Sequence, residues 1–241
     1  MNITNTSDIH QERVKLLIYG QTGIGKTYQI RFLPEDKTLI IAAEPGLMTL
    51  KNTKFDVVDI TKRKNKDGEE ENVPLHERPA ILKQVFEELV NDPANKDKYE
   101  YIVLDSLTEI AESILASEEI KNKDDKNGYK VWGEYAKRLV GTLKAFRDMP
   151  HYNVIFTALE EFTEDDSKRL IFRPSMPGKA AHKACAAAFD FVLRLTVNNE
   201  GKREFQTQAS RNAIAKTRGV MLPNPMEANL GKLIEEIRKN A

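Results

Sequence analysis

The sequence is short of several things at once. It has one cysteine, Cys185, in 241 residues, so no disulfide can form within the chain and the framework of a small secreted domain is excluded. It has no excess of either charge: Lys plus Arg and Asp plus Glu number 37 each. A strongly basic balance would announce a nucleic-acid binder, so any basic surface here has to be local. No apolar run approaches the ~20 residues of a membrane span. Residues 1–8 are polar and lack the apolar segment of a signal peptide. A cytoplasmic protein with no membrane partner is expected. Repeats of solenoid length are also missing.

What is present is 40% apolar residues, enough for a core, in a length that fits one domain. Val14 to Tyr19, Thr38 to Ala43, Tyr101 to Asp105 and Asn153 to Leu159 read as buried strands. Phe55 to Ile60 alternates and reads as another. Lys26 to Leu33, Pro79 to Val90 and Ser106 to Glu119 read as helices, the second with proline in its first turn. Tyr129 to Met149 is the clearest helix: Trp132, Ala136, Leu139, Leu143 and Phe146 recur every three or four residues. Phe189 to Val197 and Arg203 to Gln208 read as two strands joined by the turn Asn198 to Gly201, and Leu230 to Asn240 as a charged helix. Residues 61–78 read as a mobile charged insertion; residues 121–128 and 160–168 read as polar loops. This alternation predicts an α/β fold with a mostly parallel central sheet, helices on both faces and an antiparallel C-terminal edge hairpin. One domain is expected over 1–241, with a core of about 13–223 and a terminal helix within 226–240.

The strongest motif is the run Gly20, Gln21, Thr22, Gly23, Ile24, Gly25, Lys26, Thr27, followed by Tyr28. Gly-x4-Gly-Lys-Thr is a phosphate-binding loop. Its glycines let the backbone curl and aim N–H groups at phosphate oxygens. Lys26 supplies the cation for the β and γ phosphates, and the Thr27 hydroxyl is a ligand for the Mg²⁺ that bridges them. The strand before and the helix after are the setting this motif needs, the helix directing its positive end at the same anion. ATP and Mg²⁺ are therefore the expected cofactors, and Gly20 through Tyr28 the expected nucleotide-binding residues. Asp105 ends a buried strand, where open α/β sheets gather their ligands, and is the expected partner of Thr27 at the metal. Glu44 ends the second strand. It reads equally as a loop residue before Pro45-Gly46 or as the general base that polarises the attacking water.

Strand, phosphate loop, strand ending in Glu44, strand ending in Asp105: in this order the chain resembles the RecA superfamily of recombination ATPases. There the catalytic glutamate follows the second core strand, and Glu44 matches that position. Ala215 to Gly219 resembles the Lys-x-Arg element that RecA-type proteins reach across a subunit boundary to a neighbour's γ-phosphate, with Lys216 and Arg218 on those positions. Glu44-Pro45-Gly46, Leu104-Asp105-Ser106, Trp132 with Tyr135, and the lack of bacterial RecA's extra domains narrow the resemblance. It is to the short phage RecA-like single-strand annealing recombinases, a phage nucleotide-binding AAA-type family, over roughly 13–223. The resemblance implies a DNA-stimulated ATPase acting on single-stranded DNA in recombination, annealing or repair. It implies a homo-oligomer, ring or filament, with ATP sites shared between subunits, in the host cytoplasm if phage-encoded. It leaves room for a single-strand binding protein that delivers the substrate. The DNA-contacting loops correspond to about 117–131 and 160–180. The second holds Lys168, Arg169, Arg173 and Lys179, whose cations suit phosphates and equally suit a solvated loop. One departure stands out. The fourth strand, ending at Glu160, lacks the glutamine that senses γ-phosphate, which leaves Thr157 or Glu160 to substitute.

Two other functions fit the same loop. A P-loop small-molecule kinase, such as a nucleoside monophosphate kinase, needs a mobile arginine-bearing lid, and Arg169 and Arg173 lie in a segment that suits one. A nucleotide-gated interaction protein would bind ATP without turnover. Trp132 and Tyr135 lie on the apolar stripe of their helix and read first as core, second as base-stacking residues. His10, His76, His151 and His182 have no ligand spacing among them, so no metal beyond nucleotide-bound Mg²⁺ is expected. Cys185, in an alanine-rich run, reads as a small apolar filler.

Overall fold

The computed structural model describes residues 13–124, 128–164 and 168–240; His10 and the N-terminal segment read above lie outside them. Its elements, in chain order, begin with β1 (Lys15–Gly20), α1 (Lys26–Gln29), β2 (Thr38–Ala42), β3 (Asp56–Asp59), β4 (Lys62–Lys64) and β5 (Glu70–Asn72). There follow α2 (Arg78–Asn91), α3 (Pro93–Lys98), β6 (Tyr101–Asp105), α4 (Leu107–Lys121), α5 (Tyr129–Arg147), β7 (Asn153–Glu164) and β8 (Leu170–Pro174). The chain closes with α6 (Lys179–Ala188), β9 (Phe191–Val197), β10 (Arg203–Gln206), β11 (Lys216–Thr217), β12 (Met226–Glu227) and α7 (Leu230–Asn240).

The main sheet runs β12-β10-β9-β1-β7-β6-β2-β3, with β11 added to β9 and β8 to β7. From β9 to β3 every pairing is parallel. β10 and β11 join β9 antiparallel, and β12 joins β10 the same way. The fold is thus the expected α/β architecture with an antiparallel C-terminal edge. Successive residues of each strand point to opposite faces, and both faces are buried. Leu17, Tyr19, Ile102, Leu104, Val154 and Phe156 face α2, α4, α5 and α6. Leu16, Ile18, Ile40, Val103 and Ile155 face α7 and the turn after α1. Burial on both sides is why these strands read as continuous apolar runs. One consequence positions the site: β7 lies between β1 and β6, so the loop after β1 and the carboxylate ending β6 meet across β7.

The structure departs from the expected elements in several places. Within residues 61–78, a 3-10 turn over Leu75–Glu77 leads into α2, and β4 pairs with β5 as a folded hairpin, closed at Gly68 with φ +82°. Opposite charges sit across it, Lys62 on Glu70 at 2.9 Å and Arg63 on Glu71 at 2.6 Å, with Ile60 and Val73 buried at its base. Cross-strand charge pairs do here what apolar alternation does elsewhere, so the strands were hidden in a charge run. Residues 160–164 continue β7, because β8 pairs with them from Glu160–Pro174 to Glu164–Leu170. Only the first six residues of β7 are buried, and the rest forms a two-stranded arm. The helix after the phosphate loop is four residues of α-helix followed by a 3-10 turn over Ile30–Phe32. On α5, Tyr135 is buried and Trp132 is 47% exposed, so the indole lies outside the core stripe. The helices α3 and α6 and the short strands β11 and β12 have no counterpart in the sequence reading. Among the described residues no helix is long and apolar enough to cross a membrane.

Candidate nucleotide-binding site

The phosphate loop leaves β1 at Gly20 and enters α1 at Lys26. Gly23 and Gly25 have φ of +74° and +104°, a backbone that side chains disfavour and that lets the loop curl tightly, with the Ile24 N–H closing a turn on the Gln21 carbonyl at 3.3 Å. Gly20 is needed for a different reason: a Cβ there would come 2.7 Å from the Leu195 carbonyl oxygen. The Lys26 ammonium is buried and donates to the carbonyls of Gly20 at 3.0 Å and Gln21 at 2.9 Å. Among the described residues it makes no ion pair. Burial pulls its pKa down, while the carboxylates of Asp105, Glu44 and Glu160 pull it up from a distance. A desolvated cation resting on two carbonyls is matched to an incoming phosphate.

Asp105 is 4% exposed, and two hydroxyls hold its carboxylate. Thr27 donates to Oδ2 at 2.8 Å and Thr157, from the intervening β7, donates to Oδ1. Glu44 follows β2 on the far side of Asp105, half-buried. Burial raises its pKa first, the Asp105 and Glu109 carboxylates raise it further, and Lys26 opposes them. Burial and like charge thus perturb this carboxyl in the way common at functional sites. Arg78 of α2 supports this corner, donating to the Ala43 carbonyl at 3.3 Å and lying 3.8 Å from Glu109.

The other flank of the loop holds residues that no local motif announces. Glu160, 3% exposed at its side chain, receives a two-pronged ion pair from Arg194 of β9, at 2.6 and 3.0 Å. The Arg194 guanidinium stacks on Phe172 of the β7–β8 arm, 4.1 Å from the ring centre. Tyr19 donates to the Phe172 and Ile214 carbonyls. From the edge hairpin, Arg203 Nε donates to the Ile24 carbonyl at 2.6 Å.

A family model described as "AAA domain" matches residues 12–219. The chain belongs to the AAA-domain family. Nothing among the curated proteins matches it. Among solved structures it is similar to "a prototypical ATPase from the type III secretion system of pathogenic bacteria", at 16% identity and a TM-score of 0.45. That likeness covers 75% of this chain and 50% of the other, so the chain spans about half the length of that ATPase.

This AAA domain is a nucleotide-binding domain of the P-loop ATPase kind, and beside its loop it offers oxygen ligands of the type magnesium takes. The Thr27 hydroxyl against the Asp105 carboxylate is the hard-oxygen pair that Mg²⁺ shares with phosphates. Among the described residues no cluster of three or more His, Cys, Asp or Glu could hold a metal without a nucleotide. Cys185 is fully buried with its thiol pushed up to about 12, an inert filler. A cavity of about 760 Å³ between α2, α4 and α5 shares no residue with the loop.

The AAA domain does not bring all the sequence candidates together. Lys216 and Arg218 lie by the start of β9: Lys216 is in register with Val192, and the Arg218 amide donates to the Asp190 carbonyl. Through β9 this is the level of Lys15 to Leu17 on β1, roughly 10–16 Å below Gly20 at ~3.3 Å per residue. Lys216 Nζ donates to the Phe189 and Ala186 carbonyls, at 2.6 and 3.3 Å. Arg218 pairs with Asp190 at 2.8 Å but stays 64% exposed at its side chain. Of the arm cations, Arg173 is held by Glu161 at 2.8 Å, a carboxylate that also lies 3.3 Å from His182. Lys168 and Arg169 border the end of the arm, and Lys179 opens α6.

Proposed function

We propose that this AAA domain binds Mg-ATP and hydrolyses it to act on single-stranded DNA in recombination, annealing or repair. The observation that carries the ATPase reading is the triad Thr27–Asp105–Thr157 set beside Lys26, with Glu44 near enough to exchange charge effects with Lys26 and Asp105. Lys26 leaves the Gly20 and Gln21 carbonyls for the β and γ phosphates, and the loop amides take the remaining oxygens. Bound magnesium would neutralise charge on the phosphates, held by Thr27 and Asp105. Glu44 accepts a proton from the attacking water as its oxygen bonds to the γ-phosphorus and the bond to ADP breaks. A positioned base contributes about 10²- to 10⁴-fold. On β7, Thr157 or Glu160 would take the place of the sensing glutamine.

In this reading the site is completed by a second copy. Lys216 and Arg218 lie too far below their own loop to serve it, and the exposed Arg218 would leave Asp190 to reach a neighbour's phosphates. The DNA part of the reading is supported by the arm that leaves the sheet beside Glu160 and by Lys168, Arg169 and Lys179 around it.

Hydrolysis measured with and without single-stranded DNA, over a range of protein concentration, tests both parts. Turnover should rise with DNA and with concentration, and vanish in Lys26→Ala. Turnover indifferent to both removes the recombinase reading. Phosphate transfer from ATP to a nucleoside monophosphate instead would make the protein a kinase.

A further inference from the structure

The beginning of α5 and the beginning of α6 meet in a small open pocket of about 290 Å³. Trp132, Tyr135, Ala136, Gly178, Lys179 and Ala181 line it. Trp132 is 47% exposed, its ring edge-on to buried Tyr135 at 5.9 Å and 88°. Gly178 has φ +80°, and a Cβ there would lie 3.2 Å from the indole, so glycine lets the backbone approach the ring without covering it. One turn earlier on the same face of α5, Tyr129 is 83% exposed. Lysine is the lining's one charged residue type, and no carboxylate lines the pocket.

Tyr129 and Trp132 together make an exposed aromatic patch on one face of α5, and contiguous patches of this kind, unlike single exposed side chains, mark interaction surfaces. This one pairs a flat, supported indole with a lysine, the combination by which single-strand binders stack a base and attract its phosphate. We infer that Trp132 and Lys179 form a stacking site for an unpaired nucleobase of single-stranded nucleic acid. The inference rests on the DNA reading above and narrows it to one contact. Tyr135 fixes the indole from its edge, Gly178 keeps the neighbouring backbone clear, and Lys179 meets the adjoining phosphate. Such a site is indifferent to sequence, because every base has a π-face. It also explains how a chain with zero net charge holds a polyanion: part of the affinity comes from stacking, which salt does not screen.

Trp132 is the chain's one tryptophan, so its fluorescence reports the site directly. The experiment titrates the whole protein, at constant Mg²⁺ and a non-hydrolysable ATP analogue, with oligo-dT while reading tryptophan emission. Parallel titrations follow the anisotropy of a labelled oligo-dT, and an abasic oligomer of the same length serves as the probe without bases. Saturable quenching by oligo-dT and none by the abasic oligomer is expected. Trp132→Ala should weaken oligo-dT binding by about 5- to 150-fold, the range set by loss of one stacked base, and Trp132→Phe should restore most of it. Lys179→Ala should weaken binding and flatten its salt dependence. Because the indole is half-exposed, Trp132→Ala should keep its unfolding midpoint. Tight binding by anisotropy with unquenched emission and an unchanged Trp132→Ala overturns the stacking site alone. No binding of oligo-dT by anisotropy overturns the DNA reading along with it. Quenching on dilution-dependent self-association without DNA would assign the patch to a second copy instead.

Discussion

Arg203 donates a 2.6 Å hydrogen bond from Nε to the carbonyl of Ile24, joining the antiparallel edge of the sheet to the phosphate loop across 179 positions of sequence. The same side chain fills the space beside Gly25, where a Cβ would lie 2.8 Å from Nε. The loop is thus shaped from outside as well as by its glycines. Arg203→Ala should weaken binding of an ATP analogue by about 5-fold, the worth of one exposed charge-assisted hydrogen bond near 1 kcal/mol, with the unfolding midpoint little changed. Gly25→Ala meets both the guanidinium and a positive φ, and should abolish nucleotide binding. Calorimetric titration checks both.

Asp105 depends on Thr157 as much as on Thr27. Thr157→Val keeps the shape of β7 and removes the hydroxyl from a carboxylate that is 4% exposed. Leaving a buried acceptor without one donor costs about 1–3 kcal/mol, so denaturant unfolding should show a loss of that order. Asp105→Asn should be kinder to stability and harsher on hydrolysis, because it removes the charge that magnesium shares. The two variants therefore separate in opposite directions when stability and turnover are plotted together.

Glu44 gives the hydrolysis a readable pH dependence. Its carboxyl titrates above the ordinary 4.5 because burial and the carboxylates of Asp105 and Glu109 disfavour its charge. The base must be ionised to act, so turnover should fall on acidification, with a midpoint above 4.5. Removing a like charge moves it back: Glu109→Gln should shift the acid limb to lower pH without altering the plateau. Glu44→Gln should lose about 10²- to 10⁴-fold in turnover while ATP-analogue affinity stays within about twofold. A pH–rate profile unchanged in Glu109→Gln would remove Glu44 from the role.

What could be read from the sequence was what is local. The phosphate loop is eight consecutive residues whose spacing is its chemistry, and Asp105 is visible because it ends a run of buried residues. Thr157, Arg194 and Arg203 reach the site over long separations, and nothing in their immediate neighbours distinguishes them. Thr157 carries one signal, its place on the strand where RecA-like proteins hold a sensor. The hairpin at 62–72 is not legible locally because its stabilising pattern is charge against charge, Arg63 on Glu71, which looks like a solvated loop until the strands are paired. The acidic run after Glu160 misled in the same way: Glu160 and Glu161 are bound by Arg194 and Arg173. Trp132 fits the period of its helix, but it lies in the first turn, where the neighbour it meets is the bare backbone of Gly178.

Lys15 offers a pH test of the fold rather than the site. It is 8% exposed and donates to the Met149 and Tyr152 carbonyls, both at 2.6 Å, and burial lowers its pKa from 10.5 to about 8. Between those values the unfolded chain keeps a proton that the native state has released. The unfolded state then binds more protons, so this residue's contribution to stability rises with pH from about 8 to 10.5 and is lost again as pH falls through 8. Lys15→Met lacks the effect. The stability difference between wild type and Lys15→Met should therefore move in favour of wild type across that window in paired urea titrations.

Lys216 and Arg218 should part company under mutation. The Lys216 ammonium is spent on the carbonyls of Phe189 and Ala186, so Lys216→Ala should lower the unfolding midpoint first. Arg218 is mostly exposed and held by one carboxylate, Asp190, so Arg218→Ala should spare stability and cost turnover at high protein concentration. If Arg218 serves a neighbour, the defect is complementable. Lys26→Ala subunits have a dead loop and an intact Arg218; Arg218→Ala subunits have the reverse. Each alone should be inactive, and a mixture should recover hydrolysis, because some interfaces then join a working loop to a working arginine. Recovery that grows with total concentration would place Arg218 in trans. A mixture as inactive as its parts, with both variants shown to associate, would confine the reaction to one chain and leave the Arg218–Asp190 pair a structural contact.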